Sequence, residues 1–322
     1  MQILILFLTL CSSSWAIACS DILVNYPVEC KAQGRYQRLS KEFNNYSIKI
    51  DNLKGYKILK AVGKTSYYAL KNDFLNNTDA TLLKSRDWQM WNNGQNFIAE
   101  MSPVLLDFSD ITKLHKKLFA EKGFFNNPTD LGKLRTNNAE TNPKIIISCN
   151  DNFFKEKIFN LFTDYDLKSA EGYSLLTLDN IKVCDDKKLS SFELYFYKGA
   201  SVKTELVRWL NDFNDMLTRF EKNDSIEEIT PFNYLTDMRR WFLAISPFSY
   251  GNDEVASALI DYATKRLQLV PISFRELSDP IYLSVEENRL NTDNKIQQTL
   301  DFFEGCLYER KTNLISNECN SI

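Results

Sequence analysis

Five stretches of the chain carry apolar residues at helical spacing. Over 107–122, Ile111, Leu114, Leu118 and Phe119 form a stripe, Asp107 or Ser109 can cap the start, and Gly123 can end it. Over 201–220, Val202, Leu206, Trp209, Leu210, Phe213 and Leu217 share one face. A third helix is predicted over 233–245, ended near Pro247. A fourth, over 255–269, is apolar at Val255, Ala258, Leu259, Tyr262 and Leu267 and is stopped by Pro271. The last is predicted over 295–308. Residues 144–149 and 192–197 are rich in β-branched or aromatic side chains and read as strands. Residues 20–100 read as short amphipathic pieces between turns at Asn44-Asn45, Asn76-Asn77 and Asn92-Asn93-Gly94. There is no repeat and no low-complexity linker. The expected fold class is mainly α: a helical bundle in the second half, one small β-hairpin or flap, and an α-rich N-terminal extension.

Composition narrows the function classes. The chain has 322 residues, 44% hydrophobic and 25% charged, an ordinary globular balance that excludes wholesale disorder. Lys and Arg number 39 against 42 Asp and Glu, so no basic excess points to nucleic acid. His115 is the single histidine, which excludes a His-rich metal site. It lies beside Leu114 and Leu118 on the amphipathic face over 107–122 and reads as a structural histidine, a reading that also removes Ser-His-Asp and Cys-His chemistry.

The N-terminus reads as a targeting segment. Residues 1–18 are uncharged, with an apolar run from Ile3 to Leu10 and then Ala16-Ile17-Ala18, the small-residue spacing of a secretory signal peptide. The run is too short to span a bilayer. Export is therefore expected, to a periplasm or the exterior. Cleavage after Ala18 would leave Cys19 at the new terminus. A lipoprotein peptidase would make Cys19 a diacylated membrane anchor, although Ala16 is a poor residue for such a site. Ordinary cleavage leaves Cys19, Cys30, Cys149, Cys184, Cys306 and Cys319, an even set for an oxidising compartment. Their clustering suggests the pairs Cys19–Cys30, Cys149–Cys184 and Cys306–Cys319, among 15 connectivities open to six cysteines. Without a CxxC, zinc and thioredoxin-type readings have no support.

Several motifs fail. Gly63-Lys64-Thr65 lacks the earlier glycine of a phosphate loop, that position being Ile58. Asp164-x-Asp166 lacks the turn glycine of a calcium loop, that position being Ser169. The stretch 245–254, Ile-Ser-Pro-Phe-Ser-Tyr-Gly-Asn-Asp-Glu, carries more information. A Gly-Asn pair before a helix permits close backbone approach and presents free N–H groups to an anion, with the helix dipole behind them.

This stretch resembles the motif H-x-F-x-[DE]-G-N-G-R of the Fic (Fido) family, agreeing at Phe248, Gly251 and Asn252, and at Pro247 with the common His-Pro-Phe. The flanking helices and the turn at Pro271 resemble the family's pattern. Upstream, residues 111–119, the run Leu131-Gly132-Lys133-Leu134-Arg135-Thr136 and the helix carrying Trp209-Leu210-Asn211 resemble its earlier pieces in order. The resemblance runs from about 105 to 305. With the signal segment at 1–18, it divides the chain into an N-terminal region at 19–100, a Fic-like domain at 101–310 with an insertion near 150–190, and a tail at 311–322.

Fic enzymes move a nucleotide, usually AMP from ATP, onto a hydroxyl. At the family's catalytic positions the chain departs. Ser246 replaces the general base, and a serine cannot do that work near neutral pH. Tyr250 replaces the magnesium-holding carboxylate. Asp253 and Glu254 replace the phosphate-clamping Gly and Arg, and their charge opposes a triphosphate. No catalytic residue is intact, no metal is expected, and ATP with magnesium would be a cofactor only if the site were active. The ligand- or anion-binding candidates are Phe248, Gly251, Asn252, Asp253 and Glu254. Three readings follow: an exported Fic-like pseudoenzyme that binds a protein or ligand; an enzyme of altered chemistry using Ser246, or Asp253 with Glu254; and an unrelated helical periplasmic protein. The carboxylates also have a plain reading, as favourable charges in a first helical turn. A protein partner would pair with an edge strand within 137–149 or 192–197, as the family's flap does.

Overall fold

A computed structural model describes residues 23, 26–48, 50, 86–101, 105–120, 131–135, 145–148, 191–194, 199–222, 229–270, 285–316 and 319. Among these the chain is mainly helical. The helices are α1 (Pro27–Asn44), α2 (Arg86–Met101), α3 (Phe108–Leu118), α4 (Gly199–Glu221), α5 (Pro231–Ile245), α6 (Asn252–Arg266) and α7 (Val285–Thr312). Strands β1 (Ile145–Ser148) and β2 (Ser191–Leu194) pair antiparallel, Ile145 opposite Leu194 and Ser148 opposite Ser191. Their connection is the whole of 149–190, so the element is a ribbon closed over a long excursion and not a tight hairpin. No described helix is long and apolar enough to cross a membrane.

The bundle is organised around α5, which packs against α4, α6 and α7. Its sequence explains the position. Phe232, Leu235, Met238, Phe242, Leu243 and Ile245 make a wide apolar stripe, and all are buried. Thr230 caps its start and Pro231 fills the first turn, where a missing N–H loses nothing. The expected face of α4 is buried throughout. Trp209 stacks on Phe213 with centroids 4.7 Å apart and donates its indole N–H to Met238 O at 2.8 Å, which joins α4 to α5. The amide of Asn214 on α4 grips Leu106 at both its N–H and its carbonyl, and so fixes the entry to α3.

Three expectations need correction. Asn92-Asn93-Gly94 is not a turn; α2 runs through it, and Gly94 is buried. Tertiary packing against α3 and α6 overrides the low helix propensity of those residues. Residues 20–100 are not all short pieces, because α1 is a continuous 18-residue helix. Finally, α3 ends at Leu118 and not near 122. Phe119 leaves the helix (φ −110°) and lays its ring 4.9 Å from His115 and 5.7 Å from Tyr250. The start of α3 is as expected: Asp107 and Asp110 form a reciprocal capping box.

α1 is built into this core. Gln33, 1% exposed, donates to Gln268 O at 2.7 Å and accepts from Val270 N–H at 2.7 Å, clamping the turn after α6. Arg35 and Arg38 meet Asp301 and Glu304, and Glu42 meets Lys311. These pairs advance together along α1 and α7, so the two helices run parallel. Cys306 and Cys319 form the expected disulfide. Cys30 is also disulfide-bonded. Cys19, Cys149, Cys184 and the proposed signal segment lie outside the described residues.

Candidate functional site

The turn between α5 and α6 and the first turn of α6 hold the residues singled out from the sequence motif. At Ser246 the chain leaves α5 in the left-handed region (φ 44°, ψ 64°), with its N–H on Phe242 O. Its hydroxyl donates to Leu243 O. Phe248 is fully buried. Asn252 opens α6, but its amide faces backward: Oδ1 accepts from Phe248 N–H and Nδ2 donates to Phe248 O, both at 2.9 Å. The side chain staples the turn shut. Gly251 is the N-cap of α6 at φ 71°. A Cβ there would stand 2.3 Å from the Phe119 ring, so glycine is required both by backbone conformation and by space. Asp253 forms an ion pair with Arg239, which is 3% exposed on α5. Arg239 also reaches Ser257 at 3.4 Å.

Two residues from far upstream complete the turn. His115 is fully buried, with its ring stacked 4.1 Å from Phe248. Gly132 N–H donates to Nδ1 at 3.0 Å, and Nε2 lies 3.2 Å from Tyr250 O. A backbone N–H can only donate and a carbonyl only accept, so Nδ1 is bare and Nε2 carries the hydrogen. Burial pushes the imidazole down to about 4, so it is neutral. Both nitrogens serve the backbone, and neither serves Ser246. Gly132 stands at φ 69°, where a Cβ would lie 2.7 Å from Thr112 O.

Arg135, 4% exposed, covers the C-terminal end of α5. Its Nε donates to Ser246 O at 2.7 Å, its Nη2 to Ile245 O at 3.1 Å, and its backbone N–H to Pro247 O at 2.9 Å. A cation placed on the last carbonyls of a helix meets both their hydrogen-bonding need and the negative end of the dipole. Burial brings the guanidinium down to about 10. The motif-like pieces at 111–119 and 131–135 thus converge on the 246–252 turn.

No family model and no curated protein matches the chain. A solved structure, a Fic domain containing signaling protein from Bacteroides thetaiotaomicron, is similar at 14% identity, covering 94% of this chain and 97% of that one, with a TM-score of 0.38.

Arg135 and Arg239 are the site residues that sequence reasoning left unassigned. Arg135 lies in the 131–136 run, and its partner residues lie more than a hundred positions away. The stapling role of Asn252 leads to a stability test. Asn252→Ala removes the partners of Phe248 N–H and C=O, and is expected to destabilise the fold by about 2 kcal/mol. Urea denaturation measures it, and a loss below about 0.5 kcal/mol would show that the staple carries no weight.

Proposed function

We propose that the chain is an exported Fic-like pseudoenzyme, a binding module that retains the family's turn without its transferase chemistry. The observation that carries this reading is the use of the motif side chains inside the turn. The Asn252 amide is committed to Phe248, the Ser246 hydroxyl to Leu243 O, and the Asp253 carboxylate to Arg239. The residues at hand do not fit a magnesium–triphosphate group. Tyr250 replaces the metal carboxylate and packs its ring against His115 and Phe119. The first turn of α6 carries Asp253 and Glu254 where phosphate would need positive charge. Convergence of the upstream motif pieces on this turn supports the Fic-like reading.

Among the described residues, the Ser246 hydroxyl meets the Leu243 carbonyl and no basic side chain. The one histidine is neutral, saturated by backbone and turned to Tyr250, which disfavours an enzyme built on Ser246. A protein partner would add a strand to the β1–β2 ribbon, and the charge balance gives no basic excess that would favour nucleic acid. Titration of the mature protein with ATP and magnesium in a calorimeter is expected to show no heat of binding. Micromolar affinity, or transfer of AMP to any acceptor, would overturn the reading.

A further inference from the structure

The C-terminal half of α3 and the run 131–135 gather positive charge on one surface. Lys113, Lys116 and Lys117 are exposed on α3, and Lys133 is exposed on the run. Lys113 neighbours Lys116 and Lys117 at the three- and four-residue spacing of one helix side. The stem of Lys116 lies along the run: a Cβ on Gly132 would stand 2.6 Å from its Cε. The bond from Gly132 N–H to His115 Nδ1 holds the run against α3, so the backbone of Lys133 stays close to Lys116. The described carboxylates of these segments lie at the other end of α3. Asp107 and Asp110 form the capping box, and Lys113 reaches Asp110 at 3.4 Å. Among the described residues, Lys116, Lys117 and Lys133 have no ion-pair partner. The helix dipole accounts for cations in a last turn, such as Lys116 and Lys117. It does not account for Lys133, which stands outside the helix.

We propose that Lys113, Lys116, Lys117 and Lys133 form a docking surface for an acidic segment of a protein partner, a stretch of Asp and Glu side chains laid across the end of α3 and the adjoining run. Charge complementarity selects the occupant. The chain carries a net charge of −3, so an acidic partner is repelled by most of its surface and steered to this patch. Lysine presents a compact, hydrated charge and lacks the planar fork that grips a phosphate at two points. Carboxylates spaced along a segment match such separate charges. A bilayer is disfavoured as the occupant, because none of the exposed large apolar side chains among the described residues lies on 111–120 or 131–135. The surface borders the 246–252 turn, against which His115 and Arg135 are bonded. It does not depend on the loss of transferase chemistry, since a chain that bound ATP would present the same lysines.

Fluorescence anisotropy of a labelled oligoglutamate peptide, titrated with the full chain, tests the surface. Binding is expected at low salt and should weaken about tenfold as the ionic strength rises to physiological levels. The double variant Lys116→Gln, Lys133→Gln should lose about tenfold in affinity at low salt. A control pair on α1, Lys31→Gln with Lys41→Gln, removes the same charge from exposed positions elsewhere and should change affinity less than about twofold. Absence of peptide binding at low salt overturns the proposal. Equal losses in the two double variants also overturn it, because they report general attraction and no localised surface. Vesicles containing anionic lipid supply the rival: vesicle binding through Lys116 and Lys133 that exceeds peptide binding assigns the patch to a membrane and overturns the proposal. If the double variant does not fold, Lys117→Gln on the outer side of α3 decides, with about a threefold loss expected and an unchanged affinity refuting the patch. The calorimetric result with ATP and magnesium is read separately and leaves every one of these outcomes unaltered.

Discussion

Gly251→Ala is expected to lower the folding free energy by about 3 kcal/mol. Two independent penalties combine. A left-handed φ costs an alanine about 1–2 kcal/mol. The new methyl would also stand 2.3 Å from two carbons of the Phe119 ring, an overlap worth about 1–3 kcal/mol in a packed interior. Phe119 cannot retreat freely, because its ring is wedged between His115 and Tyr250. Urea denaturation of wild type and variant measures the sum. The two parts separate in a Phe119→Leu background, where Gly251→Ala should cost only the conformational share. A loss below 1 kcal/mol in the wild-type background would mean that the turn does not have the described shape.

His115→Phe should be comparably severe. The substitution keeps an aromatic ring against Phe248 but leaves Gly132 N–H and Tyr250 O without partners, for a loss of about 3 kcal/mol. It should also change the acid profile. The unfolded histidine takes up its proton near the ordinary 6.5, whereas the folded one resists until about 4. The stability it contributes is whole above pH 6.5 and declines as the pH falls toward 4, by about 3 kcal/mol in total. Glu29, a buried carboxyl on α1 that burial pushes up to about 8, slopes in the opposite sense, so the histidine's share is the difference between wild type and variant. Equal slopes for the two proteins between pH 6.5 and 4 would refute the burial of a neutral imidazole.

The elements were legible wherever local pattern and tertiary burial agree. The buried face of α4 follows from Val202, Leu206, Trp209, Leu210, Phe213 and Leu217, because helical spacing alone puts them on one side. α5 and α6 were legible from their apolar residues and flanking prolines, apart from first turns set by caps: α6 begins at Asn252, three residues before its apolar stripe. Where neighbours decide, pattern failed. Asn92-Asn93-Gly94 carries turn chemistry yet lies inside α2, and Phe119 leaves α3 for an aromatic cluster assembled from distant segments. The site was legible as a location and not as a network. Ser246, Gly251 and Asn252 stand out in the sequence, and His115 reads as structural from its helix alone. That His115 supports Tyr250, that Arg135 closes α5 and that Glu29 accepts from Phe232 N–H are contacts across more than a hundred residues, for which local spacing holds no signal.

The interlocked turn bears on how this surface would engage another molecule. Asn252, Arg135 and His115 restrict its backbone beforehand, so contact with a partner would freeze few additional torsions. Recognition there would proceed by fit to a preset shape, with little loss of conformational entropy and without the slow rearrangement that limits association to a mobile loop.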